Sequence, residues 1–426
     1  MNDPGFVFPA NPTRCVRLTV KLLGQILDSA TPPETLMTHR FWVENGCGSK
    51  ERAWIGDLVH GVLRHRRRLD PDLSSPAAHL TALALLDMYG WSPSQIAEVC
   101  GRTAPQPLSS PTDHAAPIVP AIRHSLPDWL WEALTAFPGG TEAEELAAAL
   151  NQPAPIDLRV NLRIGTRAAC QADLLAEGIA TTWTPFSPSG LRLTHRTPLG
   201  GSDPFRRGWI EIQDEGSQLI SLLVAPKPGQ TVVDLCAGGG GKSLHLAMLM
   251  EDRGRIVAAD SHAQRLARLR PRQRRAGLRS IHPLPIRHEG DPKLHALAGK
   301  ADRVLLDVPC SGTGTLRRHP EYKWSLRPQD VTTLTLRQSA LLTAGARLVK
   351  PGGRLIYATC SILEQENQAV VDYFLRCDPG FRLLDAAHVL ASSGVAGDVT
   401  RGPFLSLWPH RHGTDGFFAA IMERKR

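Results

Sequence analysis

No pair of cysteines in this chain has the CxxC spacing, and none of its eight cysteines stands with a histidine at a zinc-binding interval. A structural zinc site and a disulfide framework are both excluded as organising devices, and no metal is expected. No apolar run approaches the roughly 20 residues that a bilayer span requires, so no membrane segment is expected. Residues 1–10 hold neither a basic stretch nor an apolar one; no secretory leader is expected, and the cytoplasm is the expected location. No internal repeat is visible. A triphosphate loop is lacking as well. Gly241-Lys242-Ser243 closes as a GxxxxGK[ST] motif would, but the first glycine of that motif would fall on Cys236, and Asp234 is a poor neighbour for a triphosphate.

What the chain does have is length and positive charge. Its 426 residues exceed one ordinary core and call for two or three domains. A hydrophobic content of 42% with 21% charged residues is that of a globular protein. A net charge of +8 and a pI near 9.2 suit a polyanionic partner. From residue 16 to about 130 the periodicity is helical, beginning with Val16, Leu18, Leu22, Leu23 and Ile26. In 52–67 the residues Ala53, Ile55, Leu58, Val59 and Val62 form an apolar stripe. That stretch closes in Arg64-His65-Arg66-Arg67-Arg68, which reads either as a solvated helix end or as a contact to RNA phosphates. Helical patterns continue at 77–88 and 93–99. Residues 4–12 read as an irregular leader and 105–120, rich in Pro, Ser and Thr, as a linker. After helical stretches at 127–137 and 142–150, a small α/β module runs from about 156 to 199. Arg159, Arg163, Arg167 and Arg192 make that module a candidate RNA platform.

Beyond an extended segment at 208–213 and a helix at 215–224, strands and helices alternate regularly. This predicts a doubly wound, mostly parallel sheet covered on both faces. The first strand, at 231–235, runs into Cys236-Ala237-Gly238-Gly239-Gly240-Gly241-Lys242, then an amphipathic stretch. Strand, glycine turn, helix is where nucleotide-like ligands meet such sheets, because glycine permits tight turns and close backbone approach. With Asp234 at the strand end, S-adenosyl-L-methionine fits better than a triphosphate, since it brings a cationic sulfonium, an ammonium and a ribose. Asp260 ends the second strand, about where a carboxylate accepts from ribose hydroxyls; helix capping is its competing role. Asp307 ends an apolar strand, where a carboxylate needs a compensating cation. Cys310, after Pro309, and Cys360, at the end of the neighbouring strand, would flank the same crevice. Either cysteine alone reads as a small core residue. Both together suit covalent catalysis on cytosine, in which a thiolate added at carbon 6 makes carbon 5 nucleophilic.

The stretches DLCAGGGGKS, DVPCSGTGTLRRHPEYKW, YATCSILEQEN and HGTDGFFAA together resemble the RNA 5-methylcytosine methyltransferases of the Nol/Nop/Sun group. The front segment SKERAWIGDLVHGVLRHRRRLD resembles the NusB-like domain that precedes some of them, which points to the 16S rRNA branch. The resemblance implies three domains: an all-α NusB-like RNA-binding domain (1–130), a small α/β RNA-binding module (131–207) and a Rossmann-like methyltransferase domain with a seven-stranded sheet (208–426). It also implies a monomer that methylates RNA, with 16S rRNA as the expected substrate. Carried onto this sequence, it implies Cys360 as nucleophile, Cys310 as the residue assisting release, and Asp307 facing cofactor and target base, with Lys323 near the active site. Asp234 and Cys236, Ala237, Gly238, Gly239, Gly240, Gly241 and Lys242 would wrap S-adenosyl-L-methionine, with Asp260 on its ribose and Asp291 near its adenine. One departure stands out. The family loop usually reads CAAPGGK, and CAGGGGK here predicts a looser loop.

Overall fold

The computed structural model of the chain describes residues 9–29, 31–100 and 119–426. Part of the expected leader (4–8) and most of the expected linker (105–118) lie outside the described residues. The described chain divides into two compact units. One comprises residues up to Gln152 together with Leu316–Leu326; the other comprises Pro153–Thr315 and Arg327–Arg426.

The first unit is all-helical, around Pro12–Ser29, Ser49–Leu69, Ala77–Asp87 and Pro93–Cys100. Leu22, Leu23, Ile55, Leu58, Val62, Leu80, Leu85 and Ile96 are completely buried in its core. Ala53, expected in the apolar stripe, is exposed, and Trp54 is buried instead. The arginine run is not a freely solvated helix end, because these side chains are half-buried and knit the unit together. Arg67 donates to Leu126 O and, through two nitrogens, to the Asp128 carboxylate at 2.7 and 3.1 Å. Arg68 pairs with Asp87, and Arg66 lies over the Trp324 ring. The boundary expected at 130/131 also moves. The helices Asp128–Leu134 and Gly140–Leu150 belong to this unit, as does the short segment carrying Trp324.

The second unit contains two sheets. The smaller is antiparallel, with β1 (Asp157–Val160), β2 (Thr181–Trp183), β3 (Gly190–Leu193) and β4 (Ile210–Ile212) in the order β2-β3-β1-β4. The stretch expected to open the methyltransferase domain is therefore β4, paired with β1 through Leu158↔Ile212. The helix Arg167–Ala176 covers this sheet, and Thr166 caps it by accepting from Ala169 N.

The larger sheet has nine strands rather than the expected seven. These are β5 (Thr231–Asp234), β6 (Arg255–Asp260), β7 (Ile281–Pro285), β8 (Ala301–Asp307), β9 (Val349–Thr359), β10 (Phe381–Leu384), β11 (Thr400–Arg401), β12 (Phe404–Leu407) and β13 (Phe417–Arg424). Their order is β11-β12-β13-β9-β8-β5-β6-β7, and β10 shares an edge of β13 with β12. The five strands β9-β8-β5-β6-β7 are parallel, and the remaining pairings are antiparallel. Alternate residues feed two cores. Val232, Ile256, Leu305 and Ile356 face one helical layer, while Val233, Val257, Leu306 and Tyr357 face the other. Burial on both faces explains why these strands read as continuous apolar runs. Because β5, β8 and β9 are adjacent, their carboxyl ends bring Asp234, Asp307 and Thr359-Cys360 to one rim.

Candidate active site

The glycine loop leaves β5 at Asp234 and enters the helix Gly241–Leu249. Two of its glycines adopt left-handed backbone, Gly238 at φ +53° and Gly240 at φ +80°. A Cβ on Gly240 would come within 2.2 Å of Leu269 Cδ1. The loop is tied from outside. Gly238 N donates to Asp260 Oδ2 (2.7 Å), Arg272 Nη1 to Gly239 O (2.5 Å) and Arg159 Nη1 to Gly241 O (2.8 Å). Neighbouring residues thus hold a turn whose own sequence is permissive.

Asp234, Asp260 and Asp307 lie beside the loop, and Asp291 caps a separate turn. Asp234 is buried, with Oδ2 accepting from Ser243 Oγ (2.6 Å) and Oδ1 without a partner. Burial pushes its pKa up to about 7, Ser243 opposes that rise, and the nearby charge of Asp307 adds to it. Asp260, at the end of β6, uses Oδ2 for Gly238 N and Oδ1 for His262 N, so it both fixes the loop and caps the following turn. Asp291 caps a short 3₁₀ helix, accepting from Lys293 N (3.0 Å) and Arg287 N (2.8 Å), which hold its carboxyl below the usual range. Asp307 Oδ2 lies 2.6 Å from Lys242 Nζ. The cation compensating the strand-end carboxylate is therefore supplied by the chain itself. Burial alone would lower the Lys242 pKa, but Asp307 overrides it and the net direction is up. The Cys236 thiol is pushed well up, by burial first.

Cys310 and Cys360 are both free thiols, with Sγ atoms 3.4 Å apart. Contact with Cys360 and then burial push the Cys310 thiol well above its ordinary value. The two turns are held by backbone. Gly314 N donates to Cys360 O (2.9 Å), and Gly416 N donates to Gly314 O (2.8 Å). A Cβ on Gly314 would meet Gly416 O at 2.1 Å, so HGTDG seats against the Cys310 turn at the main-chain level. The sequence reading missed this role for Gly416. It also missed Glu366 and Gln338, whose side chains are completely buried and reach the same turns. Glu366 stands in the polar run Glu364-Gln365-Glu366-Asn367-Gln368, so nothing in the sequence singles it out.

Lys323 is not among the residues brought to this rim. It belongs to the helical unit, where Nζ donates to Arg64 O (2.9 Å), Ser125 O (3.2 Å) and Asn151 Oδ1 (2.5 Å). These acceptors take up its N–H donors, which leaves none for a substrate, and burial pushes the Lys323 pKa well down. Of the four arginines assigned to an RNA platform, only Arg163 is exposed. Arg159 is buried, Arg192 pairs with Asp157, and Arg167 donates to Ser187 O and stacks on Trp183. Among the described residues an exposed basic patch lies on the helices Ala263–Ala267 and Leu269–Arg275 and between them, with Arg265, Arg268, Arg270 and Arg274.

Comparison with known proteins places this geometry. The family model for the 16S rRNA methyltransferase RsmB/F matches residues 221–423, and that for the RsmF/B-like ferredoxin-like domain matches 126–200. A Synechocystis protein named "Probable ribosomal RNA small subunit methyltransferase B" is 39% identical over 306 residues, covering 71% of this chain and 67% of that protein. The chain belongs to the RsmB/F methyltransferase family. The Pseudomonas putida ribosomal RNA small subunit methyltransferase B is 36% identical, covering 71% of this chain and 67% of its own length. The solved structure of PH0851 matches 98% of this chain and all of its own, with a TM-score of 0.81 and 26% identity. S-adenosyl-L-methionine is the cofactor of this methyltransferase fold, and the rim fits it. A buried Asp234 oxygen lacks a partner, and the glycine turn needs two left-handed residues. Among the described residues no helix is long and apolar enough to cross a membrane.

Proposed function

We propose that this protein methylates carbon 5 of a cytosine in RNA, with 16S rRNA as substrate. The observation that carries the reading is the pair of thiols 3.4 Å apart at the ends of adjacent parallel strands, beside the Lys242–Asp307 pair. The names of the relatives support the ribosomal substrate, and the exposed arginines 265, 268, 270 and 274 suit a phosphate backbone. Asp234, the loop from Cys236 to Lys242, Asp260 and Asp291 would hold S-adenosyl-L-methionine. When bound, it supplies an electrophilic methyl group on a cationic sulfonium.

The protein's own part is nucleophilic and electrostatic. Cys360 Sγ, as thiolate, adds to carbon 6 of the cytosine, and the displaced π electrons make carbon 5 enamine-like. Lys242 and Asp307 line the rim where that base sits. After carbon 5 is methylated its proton is removed, the Cys360–carbon 6 bond breaks, and the bonding pair returns to Sγ. Cys310 assists that release.

Cysteine substitutions test this order of events. Cys360→Ala is expected to abolish methylation of 16S rRNA without any covalent complex. Cys310→Ala is expected to accumulate an RNA–protein adduct, seen as a slow band on a denaturing gel. A trapped adduct with Cys360→Ala instead would assign the DNA-type arrangement, with Cys310 as nucleophile, and equal activity of both variants would remove the covalent mechanism altogether.

A further inference from the structure

Glu366 lies in Leu363-Glu364-Gln365-Glu366-Asn367, just after the Cys360 turn, and is completely buried. Its Oε1 accepts from Ser311 N (2.8 Å) and Gln338 Nε2 (2.9 Å), and its Oε2 accepts from Ser311 Oγ (2.5 Å). Gln338 Nε2 also donates to Pro309 O (3.0 Å). The carboxylate thus holds the residue after Cys310 directly and the residue before it through one amide. The other thiol is tied to the same segment. Asn367 Nδ2 donates to Ser361 O (2.9 Å), and Thr359 Oγ1 donates to Asn367 Oδ1 (2.5 Å). A buried carboxylate persists only when its lone pairs are filled, and three donors fill them here.

Resting on the reading above, we propose that Glu366 is a positioning residue that clamps the two cysteine turns together and keeps the thiol proton on Cys310, so that Cys360 is the nucleophile. The charges around the two sulfurs are polarised in that sense. Glu366 acts on Cys310, and Lys242, paired with Asp307, acts on Cys360. Glu366 is among the groups that push the Cys310 thiol upward. A nearby anion disfavours a second anion, and a cation favours one.

Charge and clamp can be separated. Glu366→Gln keeps the size and can still accept from Ser311 N, but it removes the charge. Ser311→Ala removes one clamp bond and leaves the charge. The measurement is peptide-resolved alkylation of the full-length, ligand-free protein by iodoacetamide, scored as the rate at Cys360 over the rate at Cys310. Wild type is expected to label Cys360 first. Glu366→Gln is expected to lower the ratio about tenfold, equivalent to one pKa unit, while Ser311→Ala keeps it within about twofold. An unchanged ratio in a folded Glu366→Gln protein, or a tenfold fall in Ser311→Ala, would overturn the proposal. Should Glu366→Gln not fold, the wild-type ratio decides, since labelling of Cys310 before Cys360 would overturn the proposal. The readout needs neither RNA nor cofactor, so its failure is distinct from failure of the adduct test, which judges the methylation mechanism itself.

Discussion

The buried Asp234 makes the stability of the ligand-free protein depend on pH in a direction opposite to that of a paired carboxylate. Its carboxyl is raised from 3.8 to about 7 in the folded state. Between those two values the native state binds a proton that the unfolded chain does not, so stability is highest below about pH 4 and falls as pH rises to about 7. Three units at about 1.4 kcal/mol each set a ceiling of about 4 kcal/mol. Relaxation around the buried group reduces this to a few kcal/mol. Asp234→Asn mimics the protonated form at every pH. At pH 8 the ligand-free variant is expected to melt about 5–10 °C higher than wild type, given about 2–4 °C per kcal/mol for a unit of this size. At pH 4.5, where the unfolded carboxyl is already mostly ionised and about 1 kcal/mol is lost, the difference is expected to shrink to about 2–4 °C. Scanning calorimetry of the catalytic unit's transition at both pH values makes the comparison. A variant less stable than wild type at pH 8, or a difference independent of pH, would refute the assignment of a strained buried carboxylate. The same variant is expected to bind S-adenosyl-L-methionine more weakly, so the function-bearing carboxylate is also the destabilising one.

Two further substitutions test the site's frame. Gly314→Ala places a methyl 2.1 Å from Gly416 O, a backbone atom that cannot swing away; methylation is expected to fall at least about 100-fold in a radiolabel transfer assay, with about 1–3 kcal/mol of lost stability, and near-normal activity would show that the two turns need not meet. Lys323→Met removes a buried donor shared by three neutral oxygens, and at about 1–3 kcal/mol for a buried group left unsatisfied the helical unit is expected to lose at least about 2 kcal/mol in urea unfolding, while calorimetric affinity for S-adenosyl-L-methionine stays within about twofold; the reverse pattern would point to a role for Lys323 in binding.

The alternation of apolar strands with amphipathic helices, the glycine turn, the strand-end carboxylates and the two cysteines were all legible in the sequence, because each is a local pattern with a local cause. The expected strand order already puts Cys310 and Cys360 on adjacent strand ends. What remained hidden depended on partners far along the chain. Arg64 to Arg68 read as a surface feature, yet Asp87, Leu126 and Asp128 turn it inward. Arg159 looked like an RNA contact, and only the packing of Gln213 and the Gly241 carbonyl shows it to be a strut of the glycine loop. Lys323 sits in a motif shared with the active site, but its three acceptors come from the helical unit, and no spacing in the sequence predicts that. Glu366 shows the difference most directly. In the sequence it is one of two glutamates in a polar run, Glu364-Gln365-Glu366-Asn367-Gln368, and its meaning rests on Ser311 and Gln338, which the tertiary fold alone brings within hydrogen-bond distance.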